Sequence, residues 1–341
     1  MTKIAINGFG RIGRVTLRVI LKHYADEVEV VAINTSGSMD AAGWAHLFEY
    51  DTVYRKFGDE VGTSPGRGEG EIGQLIVGGR AIPFLAQREP VKIPWGKYQP
   101  DVVLEATGLF RDEKSASKHL SAGAKKVIIS APPRGSNVPI YIIGVNEKNY
   151  QGEKLISLGS CTTNCVAPIA KVILDNFKIE EAMMTTIHAY TADQKLVDGS
   201  HQDLRRARAG AENIVPTTSG AGEAVIAVLP GLKSRFAATA VRVPVVCGSY
   251  SDLTFKFVKK TTLAEVNGVL KKAAEGELKK ILLYSEEPLV SVDILGTTYS
   301  AIIDAQMTKV VSDDLIQVAA WYDNEWAYCC RLIEAAMMVG G

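Results

Sequence analysis

Two strings in this sequence carry side chains able to do covalent chemistry. Ser160-Cys161-Thr162-Thr163-Asn164-Cys165 follows the strand-like residues 155–158 and leads into an apolar helical run, so Cys161 falls where a helix begins. A thiol there gains from the positive end of the helix dipole and from a neighbouring imidazole, and both favour the nucleophilic thiolate. The sequence therefore predicts a Cys161 pKa below the ordinary ~8.5. Taken alone, such a cysteine is more often structural. The second string, Thr185-Thr186-Ile187-His188-Ala189-Tyr190-Thr191-Ala192-Asp193-Gln194, places a histidine after an apolar strand, where a lone imidazole is also usually structural. The combination supplies a thiol nucleophile and a base.

A third string binds rather than reacts. Gly8-Phe9-Gly10-Arg11-Ile12-Gly13 comes directly after a strand and opens a helix. Its glycines allow a tight turn and close approach of a pyrophosphate to the free N–H groups of the helix. The bland alternative is a glycine turn with no ligand. An NAD site of this kind expects an acid at the end of the second strand, roughly 20 positions on, to hold the adenosine ribose. Here Ile33-Asn34-Thr35-Ser36-Gly37-Ser38-Met39 offers none before Asp40. Hydroxyls and N–H groups able to bind a 2′-phosphate stand in its place, so the segment predicts NADP. Asp40 standing in for the acid, or a site that accepts both NADP and NAD, are the alternatives.

Positioning these strings requires sheets. Residues 4–6, 28–33, 102–104 and 127–129 read as strands, with helical spacing over 11–24 and 114–122, the alternation expected of a parallel sheet covered by helices. Residues 62–79, with seven glycines, read as surface loop or hairpin. Past residue 180, strands over 182–187, 240–246, 251–258 and 315–321 recur with fewer helices, which suggests a mixed or antiparallel sheet. Thr262-Leu263-Ala264-Glu265 is a capping-box signature, and residues 328–339 are helical in pattern. At 341 residues, two domains are the default. The 47% apolar content builds real cores, and 38 basic against 38 acidic residues, without a dense run, give no footprint for nucleic acid or membrane. The short apolar segment before Gly8 predicts neither signal nor span, hence a cytoplasmic protein. Five cysteines complete no metal-ligand set and argue against a disulfide framework.

The thiol and histidine strings together resemble the glyceraldehyde-3-phosphate dehydrogenase family. Residues 7–14, Asp203-Leu204-Arg205-Arg206-Ala207-Arg208-Ala209 and Trp321-Tyr322-Asp323-Asn324-Glu325-Trp326 extend the resemblance across residues 3–334. It implies an α/β fold: an N-terminal Rossmann dinucleotide-binding domain of residues 1–160 with 325–341, plus an α+β catalytic domain of residues 161–324 with a mixed, largely antiparallel sheet. Carried onto this chain, Cys161 attacks the aldehyde of glyceraldehyde 3-phosphate and His188 removes the proton and steadies the oxyanion. Hydride passes to the nicotinamide, and inorganic phosphate cleaves the thioester. By the same resemblance Thr191, Asp193 and Arg242 surround the substrate's C3 phosphate, while Ser160, Thr162, Arg205, Ser219 and Gly220 surround the attacking phosphate. Gly8, Gly10, Gly13, the N–H groups of Arg11 and Ile12, and Asn34, Thr35, Ser36, Arg88, Thr107, Ser130 and Asn324 contact the cofactor. Arg205 and Arg242 could instead form salt bridges, Ser160 and Thr191 could be caps, and Asn324 a turn residue. Assembly as a homotetramer is implied.

Departures from the family pattern bear mainly on the cofactor. Asn34-Thr35 replaces the usual Asn-Asp, and Ser200 stands where NAD enzymes of the family commonly carry proline; both point to NADP. Ser219 replaces a threonine but keeps the hydroxyl. Glu223 and Cys329-Cys330 have no physical account. Erythrose-4-phosphate dehydrogenase has a very similar thiol and histidine core, semialdehyde dehydrogenases share the thiol chemistry, and a regulatory protein that keeps the fold without catalysis is the competing class.

Overall fold

A computed structural model of the chain describes every residue except Glu69 and Ser136. Contacts divide it into two compact units, Met1–Tyr141 with Asn149–Gly159 and Cys329–Gly341, and Ile142–Lys148 with Ser160–Tyr328.

The first unit holds β1 (Thr2–Asn7), β2 (Val28–Asn34), β3 (Val61–Ser64), β4 (Glu71–Val77), β5 (Arg80–Leu85), β6 (Val102–Glu105), β7 (Lys126–Ile129) and β8 (Leu155–Ser157), in the order β3-β4-β5-β2-β1-β6-β7-β8. From β5 to β8 the pairing is parallel, and Ile4, Ala5, Ile6, Val102, Val103 and Leu104 are all 0% exposed. Such strands are covered on both faces, which is why they read as unbroken apolar runs. The glycine-rich stretch forms the antiparallel β3-β4-β5 edge. Gly78 (φ 54°) and Gly79 (φ 73°) make the two-residue turn between β4 and β5, a geometry that disfavours side chains. Helices α1 (Arg11–His23), α2 (Ala41–Glu49), α3 (Trp95–Tyr98), α4 (Glu113–Ala116) and α5 (Lys118–Ser121) belong to this unit. The single helix expected over 114–122 is thus two short ones. Asp112 caps the first by accepting from Ser115 N–H (2.9 Å), and the second delivers His119 to a buried bond with Trp95.

The second unit holds α6 (Cys161–Asn176), β9 (Ile179–Ala189), β10 (Val215–Thr218), α7 (Ala221–Val228), β11 (Phe236–Val243), β12 (Ser249–Phe257), α8 (Leu263–Glu275), β13 (Leu282–Ser285), β14 (Ala301–Val311) and β15 (Leu315–Tyr322). Its sheet runs β10-β11-β9-β12-β15-β14-β13, parallel only at β11-β9 and β13-β14. Side chains of β12 alternate buried and half-buried, as a strand with one covered face requires. α6 packs on α7, α8 and the sheet. Thr262 and Glu265 close the capping box at the head of α8. The last helix, α9 (Trp326–Gly340), ends the chain, and among the described residues no helix is long and apolar enough to cross a membrane.

Candidate active site

The first unit presents a backbone cradle between β1 and α1. Gly8 lies at φ +99°, and a Cβ there would stand 2.8 Å from Thr107 N; a Cβ on Gly13 would stand 2.1 Å from Gly8 O. No other residue fits either place. A Cβ on Gly10, by contrast, would meet nothing within 4 Å. Gly10 caps α1 without a side-chain bond, and the first turn holds no acid, so the leading N–H groups face an open glycine corner. Donors, dipole and clearance together fit a pyrophosphate. The Arg11 side chain pairs with Asp51 and lies 5.4 Å from the Tyr54 ring centroid, leaving its backbone to the cradle.

Several residues expected to contact the cofactor are hydrogen-bonded within the protein. Asn34 Nδ2 donates to Asn7 Oδ1 (2.7 Å) and Gln87 O (2.8 Å) while its Oδ1 accepts Gln87 N–H (2.9 Å), so the amide is fully engaged. Thr35 is 2% exposed and donates its hydroxyl proton to Leu85 O (2.9 Å). Both satisfy backbone groups left over where β2 and β5 end. Ser36 and Ser38 remain exposed, their hydroxyls 2.8 Å apart, and Arg88 Nε donates to Ser36 O (3.3 Å). Asp40, the alternative acid, caps α2 by accepting Gly43 N–H (2.8 Å). Thr107 donates both N–H and hydroxyl to Glu105, and Ser130 Oγ donates to Glu105 O (2.9 Å).

In the second unit, Ser160 Oγ accepts Thr163 N–H (3.1 Å) and Thr163 Oγ1 accepts Ser160 N–H (3.3 Å). This capping box starts α6 at Cys161, with Ser160 as the cap. His188 comes from β9, and its partner in the parallel register with β11 is Arg242. Cys161 Sγ lies 3.4 Å from His188 Nε2. His188 Nδ1 is 2.7 Å from Ala189 O and 3.0 Å from Arg242 Nη1. An arginine cannot donate to a nitrogen that carries a proton, so only one of these contacts is a hydrogen bond. Arg242 Nη1 also reaches Ala189 O (3.1 Å) and Thr191 Oγ1 (3.0 Å), whereas an Nδ1 proton has only the carbonyl. The satisfied arrangement puts the proton on Nδ1 and aims the Nε2 lone pair at the thiol.

Electrostatics correct the lowered thiol expected at residue 161. Burial pushes the Cys161 thiol up, against the opposing pull of the Arg242 guanidinium and of hydrogen bonds from Thr162 and its own backbone. Burial, with Arg242 second, pushes His188 down to about 3. The resting pair is therefore neutral thiol and neutral imidazole, a base awaiting a proton rather than an ion pair.

The expected phosphate ligands separate into groups. Thr191 donates its hydroxyl to Asp193, whose carboxylate is opposed by burial yet held below the usual range by Thr191, Arg206 and Arg242. Arg242 Nε has no partner among the described residues. Thr162 is buried, with Oγ1 2.9 Å from Tyr322 OH, which also meets Thr186 Oγ1 (2.8 Å). Ser219 Oγ accepts Ala221 N–H (3.2 Å), and Gly220 leads α7 without a side-chain cap. Arg205 and Ser200 are exposed. Asn324 Oδ1 accepts Gly248 N–H (3.0 Å) and Ser249 Oγ (2.9 Å). Sequence reasoning passed over Tyr322 and Arg206, both inside quoted strings, because nothing in a string shows which side chain turns inward.

Comparison with known proteins agrees with this geometry. The family model for the glyceraldehyde 3-phosphate dehydrogenase NAD binding domain matches residues 2–113, and the model for the C-terminal domain matches 160–324. The chain is 46% identical over 340 residues to glyceraldehyde-3-phosphate dehydrogenase 2 of Streptomyces avermitilis, covering 99% of this chain and 98% of that one. It is 47% identical over 339 residues to the Geobacillus stearothermophilus glyceraldehyde-3-phosphate dehydrogenase (99% and 98%), and 47% over 321 to the chloroplastic A form of Scenedesmus vacuolatus (94% and 100%). With both domain models matched and near-complete coverage of these relatives, the chain belongs to the glyceraldehyde 3-phosphate dehydrogenase family.

Proposed function

We propose that this chain oxidises glyceraldehyde 3-phosphate with inorganic phosphate to 1,3-bisphosphoglycerate, reversibly, through a thioester on Cys161. The observation that carries the reading is the 3.4 Å approach of Cys161 Sγ to a His188 Nε2 whose ring is fixed by Ala189 O. Sulfur attacks the aldehyde carbon while its proton passes through Nε2 to the new oxygen, giving a hemithioacetal. His188 then takes that hydroxyl proton as hydride departs from the carbon. The bound nicotinamide supplies the hydride acceptor. A phosphate oxygen attacks the resulting thioester, and sulfur leaves to reclaim the proton from His188. The N–H groups at the head of α6 face the charge that develops in both attacks.

The cradle of Gly8, Gly10 and Gly13 is the reading's dinucleotide site. NADP is favoured over NAD because Asp40 is engaged as a cap while Ser36, Ser38 and Arg88 offer donors at an exposed loop. Thr191 and Arg242 are assigned to the substrate's C3 phosphate, Ser219, Gly220 and Arg205 to the attacking phosphate, and Ser200 and Asn324 to the cofactor. Self-association is supported by exposed Val290 (54%) and Val292 (65%) beside a cavity of about 640 Å³ lined by Leu289, Tyr250, Met307 and Trp321; a homotetramer in the cytoplasm belongs to the same proposal.

Assays of the purified chain test this. Reduced cofactor should accumulate in step with acyl phosphate only when aldehyde and phosphate are both present, with one equivalent per Cys161 when phosphate is withheld. Turnover that ignores phosphate would refute the thioester step. A clear kcat/KM advantage for NAD would refute the NADP preference, and preference for erythrose 4-phosphate would reassign the substrate.

A further inference from the structure

We infer that Glu105 and His119 are positioning residues for the dinucleotide: they fix the direction in which the Thr107 hydroxyl gives its proton, so that Thr107 serves the cradle as an acceptor. This rests on the cofactor site proposed above. Glu105 is 1% exposed and His119 0%, too deep to meet a ligand, and the thiol chemistry uses neither.

Two fixed ends set the polarity of the network around them. At one, the Trp95 indole N–H can only donate, and it does so to His119 Nδ1 (3.0 Å). That nitrogen is therefore bare, and the ring proton sits on Nε2, 3.0 Å from Glu105 Oε2. At the other end the backbone of Gln87 orients Asn34, its carbonyl taking an Nδ2 proton (2.8 Å) and its N–H occupying Oδ1 (2.9 Å). Asn34 Nδ2 then donates to Asn7 Oδ1 (2.7 Å), which turns Asn7 Nδ2 to Glu105 Oε2 (2.5 Å). Thr107 N–H donates to Glu105 Oε1 (2.9 Å). Each of these groups brings a proton to Glu105 and none can take one. Both carboxylate oxygens are thus acceptors, and the Thr107 hydroxyl must donate to Oε1 as well.

Thr107 Oγ1 is left with lone pairs alone. One accepts Leu109 N–H (3.1 Å), and the other has no partner among the described residues. Thr107 N and Cγ2 lie 2.8 and 2.9 Å from where a Cβ on Gly8 would stand, so this half-buried residue belongs to the wall of the cradle. An acceptor there suits a ribose hydroxyl, the group adjoining the pyrophosphate in a dinucleotide, and disfavours a phosphate oxygen. Without the carboxylate of Glu105 or the Nε2 proton of His119, Thr107 could turn its own proton outward, and the wall would lose that discrimination.

The test measures affinity by fluorescence titration for NADP and for analogues of it that each lack one ribose hydroxyl. Thr107→Val should weaken NADP about tenfold, yet cost less than about twofold on the one analogue that lacks its partner. Glu105→Gln sets an amide N–H against Asn7 and His119 or against Thr107, and should reproduce that pattern. Trp95→Phe placed on Glu105→Gln should restore part of the affinity, because the ring proton can then move to Nδ1 and leave Nε2 to accept. A tryptophan that only fills space would instead lower it further. If Glu105→Gln does not fold, His119→Leu carries the comparison, and His119→Gln, which returns a donor to Glu105 and an acceptor to Trp95, should restore binding. Losses equal on NADP and on every analogue would mean that the pair only braces the strand ends, and no loss would mean that it has no role; each overturns the inference. A wild-type chain that binds neither NADP nor NAD would sink the proposed cofactor site and the inference with it, an outcome distinct from both.

Discussion

At residues 8–13 the atoms that would meet a pyrophosphate are backbone N–H groups on one contiguous string, and the side chains matter chiefly by being absent. At the thiol centre the atoms are side-chain sulfur, imidazole and guanidinium, with Cys161 and His188 separated by 27 positions and His188 and Arg242 by 54. At Gly8 and Gly13 the first site admits no added volume, since a Cβ on Gly13 would stand 2.1 Å from Gly8 O and one on Gly8 2.8 Å from Thr107 N. The second depends on protonation, because a neutral thiol facing a neutral imidazole works only while one can give a proton and the other can take it.

Substitutions at the two sites should break different things. Cys161→Ser should lower kcat on the order of 10⁴-fold while cofactor affinity by fluorescence titration stays within a few-fold; retention of most turnover would end the comparison. His188→Asn should cost about 10²- to 10³-fold in kcat and slow alkylation of Cys161 by iodoacetamide at neutral pH. Gly13→Ala should cost about 2–3 kcal/mol of stability and weaken dinucleotide binding more than about tenfold, with Cys161 alkylation in the folded protein little altered.

Stability against pH sharpens the contrast further. His188 in the folded chain is pushed down to about 3, whereas an unfolded histidine titrates near ~6.5. Between those values the unfolded chain binds the extra proton, so stability rises with pH through the window and is lost as pH falls toward 3. Urea midpoints measured from pH 4 to 7 should therefore slope less steeply in His188→Asn, and an unchanged slope would contradict the neutral imidazole. The smallest effect is expected at Ser160→Ala, about 1 kcal/mol for the lost cap of α6. A rise of fivefold or more in KM for phosphate would show that the hydroxyl also meets the anion.

The parallel strands of the first unit were legible because burial on both faces writes a continuous apolar run, and α8 because Thr262 and Glu265 write both halves of a capping box. The break at Ser117 was not, since the helical spacing of 114–122 says nothing of the inward bond from Trp95 to His119 that shapes the segment. Thr35 shows the same limit: a hydroxyl in a loop reads as available, and only its distance to Leu85 O shows where its proton goes in this structure.

Sequence by itself determined the glycine cradle, the thiol at a helix start and the family, because each is written in neighbouring residues with local steric or hydrogen-bonding requirements. Tertiary structure alone decided that Arg242 stands beside His188, that Ala189 O sets the imidazole tautomer, and that Arg206 faces Asp193. Those facts depend on strand register and on burial. Both are properties of the packed chain, and burial also reversed the direction in which the thiol's proton affinity moves.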